Sequence, residues 1–128
     1  MKNILLLSSF LIIGITIPNC VHNYEPVINS ISADPNPVSP GGLVNLVCKA
    51  SDDDDSSLLK TESLSYSWYA AVGNIISENS DNIATWTAPQ ETGKYSVSCS
   101  VSDKHNGLDI GTIEILVQWS LLIALQVL

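Results

Sequence analysis

The run Asp52-Asp53-Asp54-Asp55 is the densest concentration of chemistry-bearing side chains in the sequence. Calcium takes about six to eight oxygens, mostly from carboxylates and carbonyls. Asp103 follows a later strand-like run and is expected at the same end of the fold. Asp34 closes the first apolar stretch and is expected to approach. The expected metal site is therefore a Ca²⁺ held by Asp52, Asp54, Asp103 and Asp34. The plain alternative is a solvated acidic loop whose charges repel one another. EF-hand spacing is absent. No other cofactor is expected. His22 and His105 have no motif around them. There is no G-x-S-x-G, no H-E-x-x-H and no phosphate loop, so no enzyme activity is expected.

The three cysteines carry different chemistry. Cys20 closes an apolar leader, Ile4 to Ile17, that follows Lys2. That order is the outline of a secretory signal. The apolar stretch is shorter than the ~20 residues of a membrane-spanning helix. Ile17-Pro18-Asn19-Cys20 resembles a bacterial lipobox, Leu-Ala-Gly-Cys, with Pro18 and Asn19 in place of small residues. The resemblance implies a lipid on Cys20; a free thiol or an intermolecular disulfide is the alternative. The residue directly after Cys20 is Val21 rather than an acid, so an outer-membrane or cell-surface position is expected. Cys48 shares a strand face with Val44 and Leu46, and Cys99 shares one with Tyr95 and Val97. By that parity both point into the core, where an oxidising compartment would join them.

Alternation defines the elements that position these groups. Val27 to Ala33 opens the series. Leu43 to Ala50 follows, with Val44, Leu46, Cys48 and Ala50 on one face. Leu64, Tyr66 and Trp68 alternate with Ser65, Ser67 and Tyr69. Gly73 to Ile76 and Ile83 to Thr87 are shorter. Tyr95, Val97, Cys99 and Val101 alternate with serines, and Ile113, Ile115 and Val117 end the pattern. Asn106-Gly107 predicts a tight hairpin with positive φ. Asp34-Pro35-Asn36-Pro37-Val38-Ser39-Pro40 cannot be a central strand and reads as an edge kink. About seven short strands without a helix predict an all-β sandwich. Tyr69 faces outward by parity and is the candidate residue for a binding face. Trp68, Tyr66 and Tyr95 are expected in the core.

Five lysines, no arginine and thirteen acids give a formal charge of −8. Nucleic acid is excluded as a partner, because phosphate contacts need Lys and Arg. Anionic head groups are repelled, so membrane attachment must come from covalent lipid. The expected organisation is a signal peptide over 1–19, a lipidated tether over 20–26, a sandwich over 27–118 and an uncharged apolar tail over 119–128. For the tail, packing on the domain, a place in the membrane interface, a partner contact and the remnant of a longer reading frame all stay open.

Cys48, Trp68 and Cys99 resemble the immunoglobulin-like spacing of strands B, C and F. Pro35 to Gly41, Ser63 to Trp68, Thr85-Trp86-Thr87-Ala88-Pro89 and Thr92 to Val97 are similar to bacterial PKD/Ig-like modules. Tyr95 lies four residues before Cys99, whereas the antibody-type tyrosine corner lies two before. The resemblance implies an immunoglobulin-like (PKD-like) antiparallel β-sandwich. It further implies a non-enzymatic envelope lipoprotein whose domain binds protein or glycan, or acts as a spacer. The alternative is an accessory carbohydrate-binding or positioning module of a secreted enzyme system, a fragment of a longer protein.

Overall fold

The structure, a computed structural model, describes residues 23–53, 63–78 and 81–120. Cys20, Asp54 and residues 121–128 lie outside the described residues. Seven strands follow one another: β1 (Val27–Asp34), β2 (Leu43–Ser51), β3 (Ser65–Ala70), β4 (Asn74–Ser77), β5 (Ile83–Thr87), β6 (Gly93–Ser102) and β7 (Leu108–Val117). They form a four-stranded sheet in the order β1-β2-β5-β4 and a three-stranded sheet in the order β3-β6-β7. Every ladder within the sheets is antiparallel. This is the seven-strand immunoglobulin arrangement, with one sheet of four and one of three.

The sheets close over a core of inward-facing residues. β2 contributes Val44, Leu46 and Cys48; β6 contributes Val97, Cys99 and Val101; β7 contributes Ile115 and Val117. Trp86, on β5, is the largest fully buried side chain. Its indole N–H donates to the Val72 carbonyl at 2.9 Å, and its ring lies 6.1 Å from that of Tyr95, tilted by 49°. Trp68 lies in the core as expected, and Trp86 is buried more completely. Trp68 keeps a small exposed edge and donates to the Asp81 carbonyl at 3.3 Å. Gly73 turns the chain from β3 to β4 with φ of 83°, where a Cβ would strike the Trp86 indole. Only glycine combines that φ with so close an approach.

The proline-rich stretch after β1 has a structural task. Val38 forms an isolated parallel bridge to Val117, donating to the Leu116 carbonyl and accepting from the Gln118 N–H, both at 2.9 Å. The Asn36 amide donates to the Glu114 carbonyl at 3.0 Å and accepts from the Leu116 N–H at 3.0 Å. The kink therefore leaves the β1 sheet and covers the outer edge of β7. An uncovered edge there would offer unpaired backbone groups to another chain. The Asp34–Pro35 and Asn36–Pro37 peptides are cis.

One local expectation is corrected, at the entry to β7, which begins at Leu108. The turn before it is a five-residue loop, Asp103 to Gly107, in which Asn106 alone has positive φ, at 70°. Asp103 rather than an Asn-Gly pair sets its shape, as described below.

Trp86→Ala deletes the largest buried side chain. A loss of about 3–5 kcal/mol is expected from urea unfolding of the full chain. A loss below about 1 kcal/mol would show that the core is not built around this ring.

Candidate functional site

Among the described residues, three places bring potentially functional groups together: the end of the sandwich where β1 begins, the centre of the core, and the outer face of the three-stranded sheet.

At the first, Asp103 holds the β6–β7 loop. Its Oδ1 accepts from the His105 and Gly107 N–H groups, both at 2.7 Å. Its Oδ2 accepts from the Asn23 side-chain amide at 3.2 Å. Burial alone would push the carboxyl up. The hydrogen bonds from Gly107, Asn23 and His105, with the charge of His105, outweigh burial and hold the pKa below the usual 3.8. Asp52 follows β2 at the same end, since Ser51 pairs with Val27. Asp52 is only 5% exposed. Asp34 is a correction to the expected ligand set. It pairs with Asn45 at the far end of β1, seven residues or about 23 Å away along the strand. Antiparallel pairing of β1 with β2 puts Asp34 and Asp52 at opposite ends, so they cannot share an ion. Among the described residues, no group of three or more His, Cys, Asp or Glu side chains is placed to hold a metal. Asp54 lies outside them.

The expected tether is also corrected at its end. Asn23 is bonded to Asp103, and Pro26 is fully buried. Asn23 to Pro26 are therefore part of the domain, docked on the β6–β7 loop. Neither residue advertises this in the sequence, because the docking needs a loop eighty positions away.

In the core, Cys48 and Cys99 are fully buried thiols, and the Cys99 thiol donates to the Ser100 carbonyl at 3.9 Å. Burial pushes both up. For Cys99 the value reaches about 12: desolvation leads, and the hydrogen bond and charge interaction with Cys48 add to it. For Cys48 desolvation again leads, and the charge of Asp109 adds to it against the hydrogen bond with Cys99. Nucleophilic chemistry needs the thiolate, so this environment disfavours a catalytic thiol. The expected disulfide is a proposal for the oxidised chain.

The outer face of the three-stranded sheet follows from register. β6 buries Val97, Cys99 and Val101 and so turns Ser96, Ser98, Ser100 and Ser102 outward. Cross-strand rows are Tyr69–Ser98–Thr112, Ser67–Ser100–Ile110 and Ser65–Ser102–Leu108. The Ser98 and Thr112 hydroxyls are 3.0 Å apart, and the Ser100 hydroxyl donates to the Ser67 carbonyl at 3.4 Å. Tyr69 stands on β3 with 67% of its surface exposed; Leu108 and Ile110 stand exposed on β7. Serines line β6 and the neighbouring part of β3, with Tyr69 at one end of β3 and Ile110 and Leu108 along β7. The shallow trough along β6 is therefore walled by β7 and, on the β3 side, by Tyr69 alone. The charged groups at outward strand positions are Lys94 and Glu114, paired at 3.0 Å near one end. The sequence marks Tyr69 and alternates the serines with the core residues, but which side chains the serines stand beside is set only by pairing.

Tyr95 supplies a further comparison with the immunoglobulin pattern. Its hydroxyl donates to the Glu91 carbonyl at 3.0 Å. A tyrosine at the start of this strand bonding back a few residues upstream is the role of the tyrosine corner. The contact is made here despite the longer spacing to Cys99.

The fold is that of PKD-type immunoglobulin-like sandwiches. The chain is similar to the PKD1 domain of Vibrio anguillarum Epp, with a TM-score of 0.55 and 22% identity over 77% of this chain and all of that one. It is similar to the PKD domain of an M14-like peptidase from Thermoplasmatales archaeon SCGC AB-540-F20, with a TM-score of 0.56 and 18% identity over 77% of this chain and 100% of that one. It is also similar to a nucleoside hydrolase-related hypothetical protein from Saccharophagus degradans that is associated with carbohydrate metabolism. There the TM-score is 0.58, with 22% identity over 75% of this chain but only 26% of that one. No protein-family profile matches the chain, and no curated protein matches it.

The thiol pair generates a pH prediction. In the unfolded chain a thiol ionises near 9.0, whereas folded Cys99 holds its proton to about 12. Its contribution to stability is thus fully present below pH 9 and lost as pH rises towards 12. A disulfide has no such proton. The melting temperatures of oxidised and reduced chain should therefore diverge further above pH 9. Alkylation in denaturant with mass analysis should label Cys48 and Cys99 only after reduction; labelling of both in denaturant without reductant would refute the bridge. The loop it closes is about fifty residues, worth roughly 4 kcal/mol by chain entropy.

Asp103→Ala should free Asn23 to Pro26. Limited proteolysis there should accelerate. In the unchanged chain the same acceleration should appear as pH falls below 3.8, through the lowered folded value. Equal cleavage in both proteins at neutral pH would refute the docking role.

Proposed function

We propose that this chain is a non-enzymatic cell-envelope lipoprotein, anchored through a lipid on Cys20, whose PKD-like domain mediates interaction or spaces a partner from the membrane. The observation that carries the reading is the polarity of the domain. The chain enters at the β6–β7 loop, where Asn23 and Pro26 are docked. Cys20 precedes Asn23 by three residues, a reach of at most about 11 Å. A lipid there would hold the β6–β7 end against the bilayer. β7 runs away from that end, so Val117 and exposed Trp119 lie at the far one. Both sheet faces then stand side-on to the membrane, open to partners. No helix among the described residues is long and apolar enough to cross a membrane.

The burial that keeps both core thiols protonated and the structural use of Asp103 support a non-catalytic role. A Ca²⁺ at Asp52 and Asp103 is retained only as a proposal. It should raise the melting temperature in millimolar calcium relative to chelator. A carbohydrate-binding module is the second reading, favoured by the hydroxyl-lined trough on the outer face.

Cys20→Ala should abolish labelling by a fatty-acid analogue and move the domain from the membrane to the soluble fraction. A variant that stays labelled and membrane-bound would sink the lipoprotein reading.

A further inference from the structure

We propose that the outer face of the β3-β6-β7 sheet is a binding trough for one chain of an uncharged polysaccharide. The proposal deepens the reading of the domain as an interaction module and rests on it.

The floor is the row Ser96, Ser98, Ser100 and Ser102. Alternate residues on a strand stand about 6.8 Å apart and neighbouring strands about 4.8 Å apart, so the trough is about 10 Å across from β3 to β7. That width admits one extended polymer chain lying along β6. Each hydroxyl can both donate and accept, which suits a ligand whose own groups are hydroxyls with both roles. Ser98 and Thr112 already share a hydrogen bond, leaving a lone pair on each oxygen for a ligand.

The larger neighbours supply the apolar part. Tyr69 on β3 and Ile110 and Leu108 on β7 are 67%, 61% and 52% exposed, while Ser65 and Ser67 extend the hydroxyl-rich floor across the rest of β3. A sugar ring has C–H faces as well as hydroxyl edges. An exposed tyrosine offers a flat apolar surface with a polar tip, placed beside the serine row through the Tyr69–Ser98 pairing.

Charge decides the class of partner. The chain carries −8 overall, yet the outward positions of this face hold only Lys94 and Glu114, which neutralise each other. A charged ligand covering the face would lose water and find no counter-charge in exchange. An uncharged, hydroxyl-rich ligand meets no such penalty. An extended peptide is a poorer match, since its backbone groups are best satisfied at a sheet edge and the trough runs along a strand paired on both sides.

Native affinity electrophoresis tests this with the full chain in non-ionic detergent. The gels carry hydroxyethylcellulose, xylan, galactomannan, glycogen or laminarin, each at low and high salt. At least one polysaccharide should retard the protein, equally at both salt concentrations. Tyr69→Ala and Ser98→Glu should each weaken that retardation at least tenfold, while Ile76→Ala on the opposite sheet leaves it unchanged. Circular-dichroism melts of the variants guard against loss of fold. Retardation by none of the five would overturn the proposal, as would retardation that survives both trough variants or vanishes in high salt. Membrane release by Cys20→Ala is unaffected by any of these results, so the anchoring reading stands or falls separately.

Discussion

Strand β6 is hydrogen-bonded on both edges, and that constraint organises the rest of the domain. A doubly paired strand cannot rotate, so its side chains must alternate between the core and the outer face. On one side the alternation delivers Val97, Cys99 and Val101, all fully buried. On the other it delivers four serines. Shifting the register by one residue would exchange the two sets, burying hydroxyls and exposing the core. The same pairing sets Cys99 opposite Trp68 and Gly111. Gly111 leaves space that Ile31 and Ile28 fill from the facing sheet. One strand thus fixes the thiol's burial, the packing between sheets and the chemistry of the exposed face.

The remaining sequence devices keep this arrangement closed. Edge strands are exposed to pairing with other chains, and β7 is an edge. Asn36 and Val38 occupy its outer backbone groups near Leu116. Towards its other end, the Asp109 carboxylate accepts from the Ile28 N–H at 2.7 Å and ties β1 across to β7. Asp103 performs the corresponding task in the loop, tying Asn23 to the same end. Three polar side chains therefore bind the N-terminal part of the chain to β7 and the loop before it, a long-range closure made with side-chain hydrogen bonds.

Much of the fold was legible because it depends on periodicity. The alternation around Cys48, Trp68 and Cys99 gives strands, faces and sandwich without tertiary information. Burial rank was less legible: Trp86 sits in a short strand whose pattern resembles several others, and its central place depends on the Gly73 turn and Tyr95 closing over it. The carboxylates were least legible. Asp103, Asp109 and Asp34 look alike in sequence. Strand direction alone separates Asp34 from Asp52 by the length of β1, and only the folded loop shows that Asp103 already serves His105 and Gly107. The Asn106-Gly107 pair misled because a local turn signal competed with an aspartate that holds a longer loop.

The distribution of charge completes the physical picture. Thirteen acids would make any uniform surface strongly negative. Strands β3, β6 and β7 nevertheless hold only Lys94, Asp109 and Glu114. Asp109 stands opposite buried Val101 and is turned towards β1, and Glu114 is matched by Lys94. Among the described residues, the other acids lie in loops and at strand ends, and net charge of one sign favours solubility. Serine has poor intrinsic support for a strand compared with β-branched and aromatic residues. A solubility requirement alone would have been met by any polar residue, including charged ones. A run of serines on the central strand, between exposed Tyr69 and Ile110, sacrifices strand propensity to keep one face neutral and rich in hydroxyls. A face built that way selects by shape and hydrogen bonding, with long-range electrostatics left to the ends of the domain.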